Sequence, residues 1–171
     1  MITKTISNKF YGEGLEINPS INEDIRKLDY NLIVKLFEKS GLILFRNFNI
    51  KSNEIVKLTD IYTENYANDA LRRTSRMEQK EVRNVDYGNE EMALHSEASF
   101  SPNWPEIIWF FCNEFFTNGR GCTTLCDGIK LWDNLSYETK NFFLLNPIRY
   151  KLKIPISEKK IGNGTKKWLI N

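Results

Sequence analysis

The chain has 171 residues, 41% hydrophobic and 27% charged, with a net charge of +2 from 24 basic and 22 acidic side chains. That is room for one well-packed domain over residues 1–171, and an aromatic share of 13% speaks for a packed core rather than disorder. So even a charge balance leaves no electrostatic footprint for nucleic acid or an anionic membrane, and no run approaches the roughly 20 apolar residues that span a bilayer.

The first residues, Met1-Ile2-Thr3-Lys4, lead into polar sequence rather than an apolar signal core. Ile25, Leu28, Leu32, Ile33 and Leu36 recur at helical spacing, which predicts a helix over 21–39 stopped by Ser40-Gly41. A short buried strand is expected at 42–45. Ser52, with Glu54 in the first turn, opens a second helix expected to reach about Tyr66. Residues 67–91 are polar, with Arg72, Arg73, Arg76 and Arg83, and read as a solvated loop. Strands are then expected at 92–100, 107–113 and 123–126, separated by the break Ser101-Pro102-Asn103-Trp104-Pro105 and a turn at 117–121. Trp104 and Trp109 read as core aromatics. Asp127 caps a short helix through Trp132, and Ser136 opens another that ends near Asn146-Pro147. Alternation over 149–154 predicts a half-exposed strand, and the basic, glycine-containing tail, 156–171, is expected to be mobile. Helices first and short strands later predict an α+β fold with an antiparallel β core.

Three cysteines, Cys112, Cys122 and Cys126, are an odd number, so a disulfide framework is not expected. Cys122 and Cys126 alone are too few for a four-ligand zinc site. Reduced thiols in a cytoplasmic protein is the reading that follows.

The one histidine, His95, stands two residues before Glu97. On a strand, residues i and i+2 share a face, so imidazole and carboxylate converge on one ion while Ser96 points away. That pair is two thirds of the 2-His-1-carboxylate facial triad of non-haem Fe(II) oxygenases. The third ligand, a second histidine, is not among the 171 residues.

The surroundings of this pair carry a resemblance. Leu94-His95-Ser96-Glu97-Ala98-Ser99-Phe100-Ser101-Pro102-Asn103-Trp104-Pro105 resembles the metal-binding segment of the TauD/TfdA family of Fe(II)- and 2-oxoglutarate-dependent dioxygenases. Ile107-Ile108-Trp109-Phe110-Phe111-Cys112 is similar to that family's next core strand. Gly119-Arg120-Gly121-Cys122-Thr123-Thr124-Leu125-Cys126-Asp127 resembles its Gly-Gly-acidic-Thr turn, with Arg120 for the first glycine and Cys122 for the acidic residue. Upstream, Gly41-Leu42-Ile43-Leu44-Phe45-Arg46-Asn47-Phe48 is similar to its early strand. The likeness runs from about residue 25 to about 155, and within the family it is to the branch of amino-acid hydroxylases from peptide-natural-product pathways.

The resemblance implies an incomplete double-stranded β-helix (jelly roll) with flanking helices, lacking the C-terminal part of the family fold. It implies Fe(II) and 2-oxoglutarate as cofactors, His95 and Glu97 as metal ligands, and Thr123 as a contact to the keto-acid carboxylate. The substrate it implies is a small organic molecule or amino acid, hydroxylated rather than halogenated because the carboxylate ligand is present. The family's distal histidine and 2-oxoglutarate-binding arginine lie in a second half not recognisable here. The chain is therefore expected to be inactive alone, its partner being a second polypeptide that completes the fold or a homo-oligomer. The rival reading is a non-catalytic partner-binding module or a truncated remnant of such an enzyme.

Overall fold

The structure is a computed structural model that describes residues 1–7, 13–67, 82–83, 85, 92–99, 104–114, 123–151, 158–161 and 164–167. It is a mixed α+β fold. β1 (Ile2–Ser7) and β2 (Glu13–Asn18) pair antiparallel, with Ile2 opposite Asn18 and Ser7 opposite Glu13. β3 (Ile43–Phe45) adds to β2 in parallel, with Leu15 opposite Ile43 and Ile17 opposite Phe45, so the sheet order is β1-β2-β3. Parallel neighbours need a crossover, and α1 (Tyr30–Ser40) supplies it.

The helix is placed by its ends. Asp29 accepts a hydrogen bond from the Leu32 N–H at 2.7 Å and caps the N-terminus. Gly41 closes the other end at φ +67°, a left-handed conformation that costs glycine no Cβ clash, and donates its N–H to Phe37 O. The expected helix over 21–39 is thus corrected to begin at Tyr30. Ile25 and Leu28 are still buried, but from a single 3-10 turn, Ile25–Lys27, capped by Asp24. Arg26 leaves this turn to pair with Asp24 and with Glu54, both at 2.8 Å, tying it to the start of the next helix.

That helix, α2 (Ile55–Thr59), follows a 3-10 turn at Ser52–Glu54 and ends well before Tyr66. Lys51, rather than Ser52, stands at the N-cap position. The Tyr66 hydroxyl instead bonds back to Asp60 at 2.7 Å and Thr59 at 2.6 Å, folding the chain over the helix end. Ile17, Ile25, Leu28, Ile33, Ile55 and Leu58 form the core between sheet and helices. Val82 and Phe111 pack against it from later in the chain.

Farther on, α3 (Gly128–Asn134) and α4 (Tyr137–Leu145) start as expected. Asp127 accepts from the Ile129 and Lys130 N–H groups, and Ser136 from the Thr139 N–H. A hairpin of β4 (Glu158–Ile161) and β5 (Gly164–Lys167) lies in the tail.

The strands expected at 92–100, 107–113 and 123–126 do not form: the described residues there, and 149–151, take no regular structure. A strand is defined by its ladder, and a short apolar run becomes one only where a neighbour pairs with it. The strands that do form at 2–7 and 13–18 are additional to those expected, and Glu16 between Leu15 and Ile17 shows the alternation of a half-buried strand. The double-stranded β-helix is accordingly not what the described strands build. Arg72, Arg73, Arg76, Arg120, Cys122 and the turn at 117–121 lie outside the described residues. No helix among the described residues is long and apolar enough to cross a membrane.

Candidate functional site

His95 lies in an irregular stretch, 92–96, that ends in a turn at 97–99. The expected strand geometry for the pair is therefore corrected: His95 and Glu97 are placed by a turn, not by the alternation of a pleat. Its hydrogen bond runs from the Ser99 N–H to Ser96 O at 3.3 Å, so Glu97 and Ala98 are the two central residues. Ala98 adopts φ +51° and is 8% exposed, while residues 92–96 and Ser99 are exposed and Glu97 is half-buried.

Among the described residues, the imidazole has one fixed contact. Its Nδ1 lies 2.9 Å from the backbone oxygen of Ala93. A carbonyl only accepts, so Nδ1 carries the proton and, in the neutral ring, Nε2 keeps its lone pair. That is the arrangement by which a metal-binding histidine is oriented: one nitrogen donates to a backbone carbonyl and the other faces the ion. An imidazole nitrogen and a carboxylate two residues apart make a donor set suited to Fe(II) and its neighbours among the divalent metals. The pair offers two donor groups. Among the described residues, no group of three or more His, Cys, Asp or Glu side chains is gathered for an ion.

Thr123, the candidate cofactor contact, is exposed in irregular chain before Asp127. Asp127 is located more firmly, because its Oδ2 lies 3.6 Å from where a Cβ on Gly41 would stand. The segment after Thr123 therefore reaches the C-terminal end of α1.

The segment after the His-Glu turn is anchored by aromatic packing. Tyr62 stacks on Tyr30 with ring centroids 5.5 Å apart and meets Trp109 at the same distance. Burial pushes the Tyr62 phenol above its ordinary pKa, with the neighbouring Tyr30 and Asp29 adding to the shift. Trp109 is half-buried against Tyr62 rather than part of the core cluster, and its indole Nε1 is buried without a hydrogen-bond partner among the described residues. Trp104, by contrast, is 62% exposed. Beside Phe111, an open cleft of about 520 Å³ runs between residues 50–53 and 111–113. None of His95, Glu97 and Thr123 lines it. Cys112 and Cys126 are free thiols.

Sequence reasoning missed the left-handed turn and the orphaned indole. Alanine carries no signal for positive φ, and an unpartnered donor shows only once neighbours are in place.

Against known proteins, the chain matches one family, described as Taurine catabolism dioxygenase TauD, TfdA family, over residues 3–159. Neither the curated proteins nor the solved structures contain a significant match.

Proposed function

The chain belongs to the TauD/TfdA family of dioxygenases, and from that premise we propose that it carries the first two metal ligands of an Fe(II)- and 2-oxoglutarate-dependent hydroxylase. The observation that carries the reading is the contact of His95 Nδ1 with Ala93 O, which leaves Nε2 for the ion. His95 Nε2 and the Glu97 carboxylate bind the metal, and Thr123 contacts a carboxylate of the keto acid. Bound iron and 2-oxoglutarate supply the activation of O2 that drives hydroxylation of an unactivated C–H bond. The chain's own residues hold and orient: the Ala93 carbonyl fixes the ring plane and raises the basicity of Nε2, and Glu97 contributes the anionic ligand. The substrate is a small organic molecule or amino acid. The free thiols of Cys112 and Cys126 suit the reducing cytoplasm.

A full triad needs a second imidazole, and His95 is the one histidine in the 171 residues. The second imidazole and the arginine for 2-oxoglutarate come from polypeptide outside these residues. A two-ligand site binds iron weakly, so these residues by themselves are inactive. The rival reading, a partner-binding module, draws support from the exposed apolar residues of α4, Leu144 and Leu145 at 71% each.

Anaerobic titration with Fe(II) and 2-oxoglutarate separates the two. The enzyme reading expects a weak visible charge-transfer band that His95→Ala abolishes. A protein whose band survives His95→Ala is the binding module, and so is one without a band that an added polypeptide carrying the second histidine and the arginine fails to restore.

A further inference from the structure

Among the described residues, three other than glycine stand at positive φ: Asn22 at 56°, Asn47 at 62° and Ala98 at 51°. Asparagine is at home there, because its short polar side chain bonds locally; the Asn47 amide donates to Asn18 Oδ1 at 2.8 Å. Alanine has no such compensation, so its surroundings must hold it in place. Two features do so. The Ser99 N–H closes the turn on Ser96 O, and the Ala98 methyl is the one buried side chain among residues 92–99. Of the three left-handed positions, only this one adjoins a proposed metal ligand.

We infer that Ala98 is a positioning residue: its buried, left-handed turn aims the Glu97 carboxylate at the ion held by His95. The inference rests on the metal reading above. The physical link is the peptide plane between Glu97 and Ala98. The ψ of Glu97 and the φ of Ala98 rotate that one plane, as in the flip that separates the two commonest turn types. A residue that refuses positive φ turns the plane over and takes the backbone of Glu97 with it. Glycine accepts the conformation without strain, whereas a β-branched side chain resists it. Ala98 thus couples a backbone conformation to ligand geometry, while lying outside the core cluster that holds the fold together.

The test uses Co(II) as probe, read by its visible d–d absorption, in wild type, His95→Ala, Ala98→Gly and Ala98→Val, with thermal unfolding followed in parallel. Ala98→Val is expected to weaken Co(II) binding by about tenfold or more, the scale on which supporting contacts of a metal ligand act, while staying folded at the temperature of the titration. Ala98→Gly is expected to bind as wild type does. Wild-type affinity in Ala98→Val overturns the role of Ala98 and leaves the metal site standing. Equal loss in Ala98→Gly overturns it too, because the methyl and not the turn is then what matters. An Ala98→Val protein that does not fold also contradicts it, since Ala98 is then a core residue. A wild type with no His95-dependent Co(II) signal removes the metal reading, and this role with it.

Discussion

Residues 13–67 and residues 123–151 are both rich in apolar side chains, yet they treat them in opposite ways. In the first stretch Ile17 is fully buried and Ile33 is 3% exposed. In the second, neither α3 nor α4 buries a residue, and Phe142, Leu144, Leu145 and Ile148 are each more than half exposed. Helix caps do not explain this, since α1, α3 and α4 each begin with a side-chain oxygen accepting a backbone N–H. Topology does. β2, α1 and β3 fold back on one another, so sheet and helix each offer the other an apolar face. The helix α4 carries Phe142-Phe143-Leu144-Leu145 in succession, a run that wraps the helix and cannot hide on one side of it. Capping makes a helix locally, and a second layer is what buries it.

Substitutions in the two stretches should differ accordingly. The largest effect belongs to the core: Ile17→Ala is expected to cost about 2–5 kcal/mol in urea unfolding, by lost burial and a residual cavity. Leu144→Ala, on the exposed helix, is expected to stay within about 0.5 kcal/mol. Equal costs at the two positions would mean that α4 is buried in solution.

The glycines give a smaller contrast of opposite sign. Gly41→Ala forces a Cβ into a left-handed cap and is expected to destabilise by about 1 kcal/mol. Gly128→Ala, in the first turn of α3 with open space around the new Cβ, is expected to stabilise by up to about 1 kcal/mol. Thermal unfolding reads both. A matching loss at Gly128 would show that α3 packs against something.

The smallest effect is the pH dependence of the turn at 25–27. Hydrogen bonds from the Arg26 side chain and backbone hold the Asp24 carboxyl at about 2, against an ordinary 3.8. A depressed carboxyl contributes stability that is present above its unfolded pKa and lost as pH falls through the folded one. Asp24 should therefore weaken the N-terminal unit between about pH 4 and pH 2. Carboxyl NMR titration is expected to give a low value in wild type and a clearly higher one in Arg26→Ala, where only the backbone N–H bond to the carboxyl remains. An ordinary value in wild type would remove the pairing of Arg26 with Asp24 inside the 3-10 turn.

Local signals were legible in the residues. Gly41 as a stop, Asp127 and Ser136 as caps, and the strand at Ile43 all follow from side-chain chemistry acting within a turn or two. The register of β1 on β2 and the failure of 107–113 to join a ladder do not, because pairing is decided by neighbours distant in sequence. The site divides in the same way. His95 and Glu97 stand out by residue type and spacing, and their context points to a metal-binding family. The turn at Ala98, the Ala93 carbonyl that picks the tautomer, and the meeting of Trp109 with Tyr62 need coordinates, since nothing in an alanine or a backbone oxygen marks it beforehand.

The central claim is that His95 binds metal through Nε2 while Nδ1–H stays with the Ala93 carbonyl. Proton NMR of the Co(II)-loaded protein tests it, because a ligand ring N–H is shifted far outside the diamagnetic range while ring C–H protons next to the ligating nitrogen are broadened. Ligation through Nδ1 would therefore add a second narrow signal, the non-exchangeable Cδ2–H. One such exchangeable signal is expected, without a narrow Cδ2–H beside it, and it is lost in His95→Ala. A Co(II) complex without that proton, or one whose spectrum survives His95→Ala, would contradict it.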